Sequence, residues 1–323
     1  MSNNGSIVTR KPKLPLRAAP AYAELQTTSN FSFLRGGSHP EELVAAAKIL
    51  GLRAIAITDR NTLAGVVRAH TAAKELGLRL IVGARLDLVD APSLIALPTC
   101  RQAYGRLSRL LTLGQRRAEK GQCELRLADV AAHAEGQIFI VIPPDGWFVP
   151  TGVAELNPHA SGPSPPPHGI SRFEDEVGRL KASLAPAARL YLAASHLYRG
   201  DDKARTDVLA EIAARQAVPL VATGDVLYHT PQRRPLQDIL TCIREKTTIA
   251  KAGFALEANA ERHLKAPAEM ARLFKGHEDA LRRTVEIEKA CRFSLDELAY
   301  EYPDEPVPPG ETAQSQLERL SWE

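Results

Sequence analysis

The side chains best suited to chemistry in this chain are Asp59, His196, Asp225 and His229, each at or just beyond the end of an apolar run. Carboxylates and imidazoles converging on one point are what a di- or trinuclear hydrolytic metal centre requires. Their neighbours argue against that chemistry. Arg60 follows Asp59, Arg85 closes another apolar run, and Gln26, Thr27 and Thr28 close the first. Arginine is permanently charged and has no lone pair to offer a metal. A guanidinium beside Asp59 or Asp225 would neutralise the carboxylate and repel a divalent cation. Local structure also accounts for each candidate. Asp59 stands where it would cap a helix starting near Asn61, and Asp225 follows Gly224 in a turn. His196 suits a hydrogen-bonded place on a strand rim. His229 lies with Leu227 and Tyr228 in a loop before Thr230 and Pro231.

These residues need a frame, and the pattern of the chain supplies one. Strand-length apolar runs occur at 22–26, 53–58, 78–83, 93–98, 137–144, 189–195 and 218–223, alternating with helical patterns. Ser38 and Glu41 have capping-box spacing around Pro40, and Gly51 has the place of a C-cap glycine. Further helices are expected from about Asn61 to Gly77, at 101–114, from about 127 to Gly136, at 171–184 and at 201–216. Such alternation predicts parallel strands joined by crossover helices, and seven units suit a barrel-like sheet. In parallel barrels the chemistry lies at the carboxyl ends of the strands, which is where the candidates fall. After 223 the pattern changes: 231–245 and 267–291 read as helices with no strand between. Residues 145–170, ending in SGPSPPPHG, read as a Pro/Gly-rich surface insertion.

Bulk properties exclude little. A formal net charge of +3 is too small to argue for nucleic acid or membrane. Cys100, Cys123, Cys242 and Cys291 form no CxxC pair and read as reduced thiols. Residues 1–20 are basic without an apolar signal-peptide core, and read as a disordered tail. No apolar run approaches the roughly 18 residues that span a bilayer, so a soluble, cytoplasmic protein is expected. Arg101, Arg106, Arg109, Arg116, Arg117 and Lys120 lie in and just after one amphipathic helix. They could contact DNA phosphates or form an exposed basic face. The segment from Thr312 starts a helix with Leu317 and Leu320, and the chain stops within that pattern, as the front part of something longer would.

Several long segments resemble a known family: ELQTTSNFSFLRGGSHPEELV, AIAITDRNTLAGVVRAH, LIVGARLDL and LVATGDVLYHTPQRRPLQDILTCIREKTT. They are similar to the PHP (polymerase and histidinol phosphatase) domain, and more closely to the N-terminal part of bacterial C-family polymerases of the polymerase III alpha-subunit type. TTSNFSFLRG, ITDRNTLAGVVRAH and EYPDEPVPPG look most like the error-prone branch. The resemblance implies an α/β fold, a distorted (β/α)7 barrel over 21–275. A connector and the start of a truncated polymerase domain would follow over 276–323. It also implies a degenerate metal site. The family's H-x-H positions fall on Gln26 and Thr28, its T-D-H on Thr58, Asp59 and Arg60, and its G-x-E acid on Arg85. Its N-D-x-H retains only Asp225, with Leu227 at the histidine, and His196 falls on a retained histidine. No catalytic residue, metal or cofactor is therefore expected in this chain.

For the parent protein the resemblance implies template-directed DNA synthesis in damage tolerance, with Mg²⁺ held by palm aspartates. No D-x-D pair occurs here, and the adjacent Asp201 and Asp202 suit a helix start. Implied partners are the rest of the polymerase chain, primer–template DNA, a sliding clamp and accessory mutagenesis proteins. A scaffolding role for the barrel is the main expectation. Its alternatives are a metal-dependent phosphoesterase or exonuclease, repaired by His133 or His229, and a free-standing interaction module.

Overall fold

The computed structural model describes residues 20–148, 169–185, 187–298 and 307–322. The expected tail, most of the Pro/Gly-rich insertion and the acidic connector around 299–306 lie outside the described residues. The barrel strands are β1 (Ala23–Glu24), β2 (Ala54–Arg60), β3 (Arg79–Leu86), β4 (Leu94–Pro98), β5 (Gln137–Val141), β6 (Arg189–Ser195) and β7 (Leu220–Thr223). Around them run α1 (Pro40–Ile49), α2 (Val66–Leu76), α3 (Arg101–Arg117), α4 (Leu127–Ala132), α5 (Gly169–Leu184) and α6 (Asp202–Gln216). Beyond β7 follow α7 (Arg234–Arg244), α8 (Ile249–Ala252), α9 (Pro267–Leu273), α10 (Glu278–Ala290) and α11 (Ala313–Trp322).

The seven strands form one sheet in sequence order. A bridge between Thr27 and Val226 draws its edges together: Thr28 N donates to Val226 O at 2.9 Å and Val226 N to Gln26 O at 2.9 Å. An all-parallel sheet was expected, and one strand departs from it. β4 pairs antiparallel with both β3 and β5. The stretch from Asp87 to Ser93 is too short for a crossover helix, which needs a dozen or more residues, so the chain must turn back on itself.

Several local expectations shift for identifiable reasons. The second helix begins at Val66 rather than near Asn61, because Asn61 adopts φ +52 and Gly65 is the N-cap. The cap of α1 is His39, whose N–H donates to Glu42 at 2.9 Å, instead of the Ser38–Glu41 pair. Gly51, at φ +76, does end that helix. The long helix expected over 267–291 is two, α9 and α10, broken at Gly276 with φ +92.

Two cores result from period-2 alternation. Ala54, Ala56, Ile81, Ile95, Leu97, Ile138, Ile140, Ala193 and Val221 fill the barrel interior. Ile55, Ile57, Val82, Leu94, Phe139, Leu192 and Ala222 face the helices. The interior core also includes fully buried Ile287 and Cys291, carried by or adjoining α10, and α10 packs on β7 and β1. Burying a side chain such as Ile287 stabilises by about 1.5–3 kcal/mol. The packing of the barrel therefore continues past residue 275, through Phe293. Among the described residues, no helix is long and apolar enough to cross a membrane.

Candidate functional site

Strand alternation decides which end-of-strand residues face the barrel mouth. On β2, Ala54 and Ala56 face inward while Ile55 and Ile57 face the helices, so Arg60 continues the inward row and Asp59 the outward one. Asp59 is 1% exposed and tied to the loop after β1. Its carboxylate accepts from Ser29 N at 2.8 Å, Ser29 Oγ at 2.7 Å and Ser32 Oγ at 2.7 Å. A Cβ on Gly65 would come 2.6 Å from Asp59 Oδ2, so the start of α2 closes over it. Asp59 thus fastens a loop; it caps no helix at 61. Burial pushes its carboxyl above the usual range, and the serine hydrogen bonds only partly offset this.

Arg60 and Arg85 are register partners on β2 and β3. Both hold one carboxylate: Arg60 Nη1 meets Asp87 Oδ2 at 2.8 Å, and Arg85 Nε meets Asp87 Oδ1 at 2.7 Å. Ser93 Oγ donates to the same Oδ1 at 2.8 Å. Burial would raise the Asp87 carboxyl, but Arg85 and Arg60 outweigh it and hold it low.

Across the mouth, Asp225 sits at φ +46, a conformation Asp tolerates better than most residues. Gln26 Nε2 donates to its Oδ1 at 2.7 Å, and Arg262 Nη2 pairs with its Oδ2 at 2.6 Å. Arg262 also donates Nε to Asp225 O at 3.0 Å and Nη1 to Glu257 at 2.6 Å. Burial again pushes upward on Asp225; Arg262, then Arg85, more than reverse it.

The remaining candidates are dispersed. His196, on the helix-facing row after β6, bonds Thr206 Oγ1 of α6 at 3.0 Å and sets its ring edge to Phe274. Burial lowers its pKa, favouring neutral imidazole. His229 Nδ1 bonds Ser38 Oγ at 2.7 Å, and His133 Nδ1 bonds Asp129 O at 2.8 Å. Leu227 is buried, its N–H given to Arg262 O at 2.9 Å. Thr28 contributes the backbone bond to Val226. On α3, Arg106 pairs with Glu135, and Arg117 grips Asp129 at 2.7 and 3.0 Å. Arg101, Arg109, Arg116 and Lys120 are exposed.

A metal cluster does not fit these residues. Among the described residues, no three His, Cys, Asp or Glu side chains form a group able to hold a metal ion. Asp59 is engaged by serines and Asp225 by Gln26 and Arg262, while two guanidiniums stand in the mouth. Sequence reading missed Asp87, Arg262, Ser29 and Ser32. A D-x-x-x-x-x-S spacing after Arg85 is the only local trace of the Asp87–Ser93 bond, and Arg262 leaves none.

Residues 24–155 match the sequence profile of the PHP domain. The chain is 50% identical over 304 residues to an error-prone DNA polymerase of Caulobacter vibrioides, spanning 94% of this chain and 26% of that protein. It is 49% identical over 312 residues to the error-prone DNA polymerase of Rhodopseudomonas palustris strain BisB5, with coverages of 94% and 26%. The similarity lies in the N-terminal region of such proteins, and the chain spans about a quarter of their length. Among solved structures, an amidohydrolase from Chromobacterium violaceum aligns at 14% identity with a TM-score of 0.42, over 64% of this chain and 88% of that one.

Proposed function

We propose that this chain is the amino-terminal, PHP-containing portion of an error-prone DNA polymerase, and that its barrel is a non-catalytic scaffold for the polymerase part. The observation that carries the scaffold reading is the state of the mouth. Asp59 and Asp225 are committed to serine, glutamine and arginine partners, with Arg60 and Arg85 between them. A hydrolytic centre needs open carboxylates and imidazoles, and a guanidinium offers a cation only repulsion. Template-directed nucleotidyl transfer, with Mg²⁺ as its cofactor, would belong to the part of the parent protein that this chain does not span. Primer–template DNA, a sliding clamp, accessory mutagenesis proteins and a cytoplasmic setting are proposed on the same similarity.

The competing phosphoesterase reading is separated by a metal and activity assay on the purified chain. Incubation with Zn²⁺ or Mn²⁺ followed by desalting should leave no stoichiometric metal, and a phosphodiester substrate should not be hydrolysed. Stoichiometric metal together with hydrolysis that Asp59→Asn and Asp225→Asn abolish would overturn the scaffold. For the parent polymerase, removing residues 1–293 should lower soluble yield and thermal midpoint; an unchanged midpoint would count against scaffolding.

A further inference from the structure

The charges at the barrel mouth do not balance. Arg60 and Arg85 stand side by side on neighbouring strands, an arrangement in which like charges repel. They share one carboxylate, Asp87. A third guanidinium, Arg35, comes from the loop after β1. It lies within electrostatic reach of Arg60, Arg85, Asp87, Arg244 and Glu245. Its guanidinium makes no hydrogen bond or ion pair among the described residues. Arg244, at the end of α7, pairs with Glu245 at 3.0 Å and donates to Leu34 O of the same loop at 2.8 Å. Asp225 also lies within reach of Arg85; with it and the groups around it, Arg262, Arg199 and Glu257, six guanidiniums face four carboxylates, an excess of two positive charges.

Donors are also left over. Arg60 gives Asp87 only Nη1, and Arg85 spends Nε and Nη2 on Asp87 and Ser93, which leaves its Nη1. The Arg60 and Arg85 side chains are 27% and 16% exposed, open to a ligand yet shielded enough for their field to be felt. Burial, with Arg85 next and Asp87 opposing both, holds Arg60 down to about 10.

We propose that Arg35, with Arg60, Arg85 and Arg244, forms a phosphate-binding site at the mouth of the barrel. A phosphate carries up to two negative charges and several acceptor oxygens, matching both the charge excess and the unspent forks. The phosphate could arrive free, as inorganic phosphate or pyrophosphate, or within a DNA strand. The site requires no metal and no hydrolysis. The metal assay therefore tests the scaffold reading, and phosphate binding tests this one, independently.

The experiment follows thermal unfolding of the 323-residue chain at low ionic strength, with inorganic phosphate or pyrophosphate against chloride at matched ionic strength. A rise of roughly 5 °C is expected at a hundredfold excess over Kd. Arg35→Gln removes no described contact, so its midpoint without phosphate should equal or exceed that of the unsubstituted chain. It should weaken phosphate binding about tenfold or more, and Arg35→Lys, which keeps the charge without the fork, should fall between. A labelled single-stranded oligonucleotide lacking a 5′ phosphate separates the sources. Binding that pyrophosphate competes away and Arg35→Gln abolishes marks a DNA backbone ligand. A midpoint rise without such competition marks free phosphate. No rise beyond chloride, or an equal rise in Arg35→Gln, would overturn the site.

Discussion

Arg262→Met offers the sharpest test of what holds the barrel mouth together. The methionine keeps an aliphatic stem and removes the guanidinium that holds Asp225 at 2.6 Å and Glu257 at 2.6 Å. Both members of the Asp225–Arg262 pair are less than one-fifth exposed, so solvent screens little of the loss. Of its side-chain hydrogen bonds Asp225 would retain only that from the Gln26 amide, with Arg85 acting through its field alone. Breaking a buried pair in this way costs about 3–5 kcal/mol, mostly from the stranded charge, against a total stability of about 5–15 kcal/mol. At about 2–4 °C per kcal/mol for a domain of this size, the thermal midpoint should drop by roughly 6–20 °C. Adding Asp225→Asn removes that charge, so the double variant should recover part of the loss. The pH dependence has a definite sign. The folded Asp225 carboxyl ionises below its unfolded value near 4. Its contribution is complete above that pH and fades as pH falls through the folded value, so the gap to Arg262→Met should narrow in acid. Circular dichroism melts between pH 3 and 7 measure both effects. A single variant within about 2 °C of the parent at pH 7, or a double variant no more stable than the single, would refute the reasoning.

Three further outcomes are expected. Ile287→Ala should cost about 2–5 kcal/mol in denaturant unfolding, because α10 fills the barrel interior; a loss under about 1 kcal/mol would make α10 peripheral. Burial raises the Asp59 carboxyl above its unfolded value, so its share of stability is greatest below that unfolded value and is lost as pH rises through the folded one. Asp59→Asn should remove that slope from midpoints measured between pH 4 and 7, and an unaltered slope would reject the assignment. If the α3 face contacts DNA, replacing Arg109, Arg116 and Lys120 by Gln should reduce the slope of log affinity against log salt by up to about 3; an unaltered slope would exclude that face.

The barrel was legible in the sequence because its strands are short, fully apolar and separated by helical patterns. Which face each residue takes was harder to read. A strand buried on both sides shows no polar alternation, and RAIAIT is such a run. The antiparallel β4 left one trace, the interval from Asp87 to Ser93, too brief to carry a helix. Closure was not legible, since it rests on backbone bonds from Gln26 and Thr28 to Val226, about 200 residues away in sequence. The place of α10 was not legible either: Ile287 fits any amphipathic helix, and only the open end of the barrel decides where it goes.

At the mouth, residue type was readable and partnership was not. Arg60 and Arg85 exclude metal ligation by their chemistry alone, wherever they point. That Asp87 would bind both depends on the register of β2 against β3, and that Arg262 would reach Asp225 depends on a segment 37 residues downstream. The fate of Asp59 turns on a single step of strand parity. Ile55, Ile57 and Asp59 share the helix-facing row, while Ala56, Thr58 and Arg60 share the inner one. A shift of one residue would exchange the two faces, bringing Asp59 into the mouth and turning Arg60 out. In that register the carboxylate would be free of Ser29 and Ser32 and open to a cation. In the register adopted, the same carboxylate fastens a loop and the mouth belongs to guanidiniums. The position of an acid at a strand end therefore says little about ligation until its neighbours' alternation is settled.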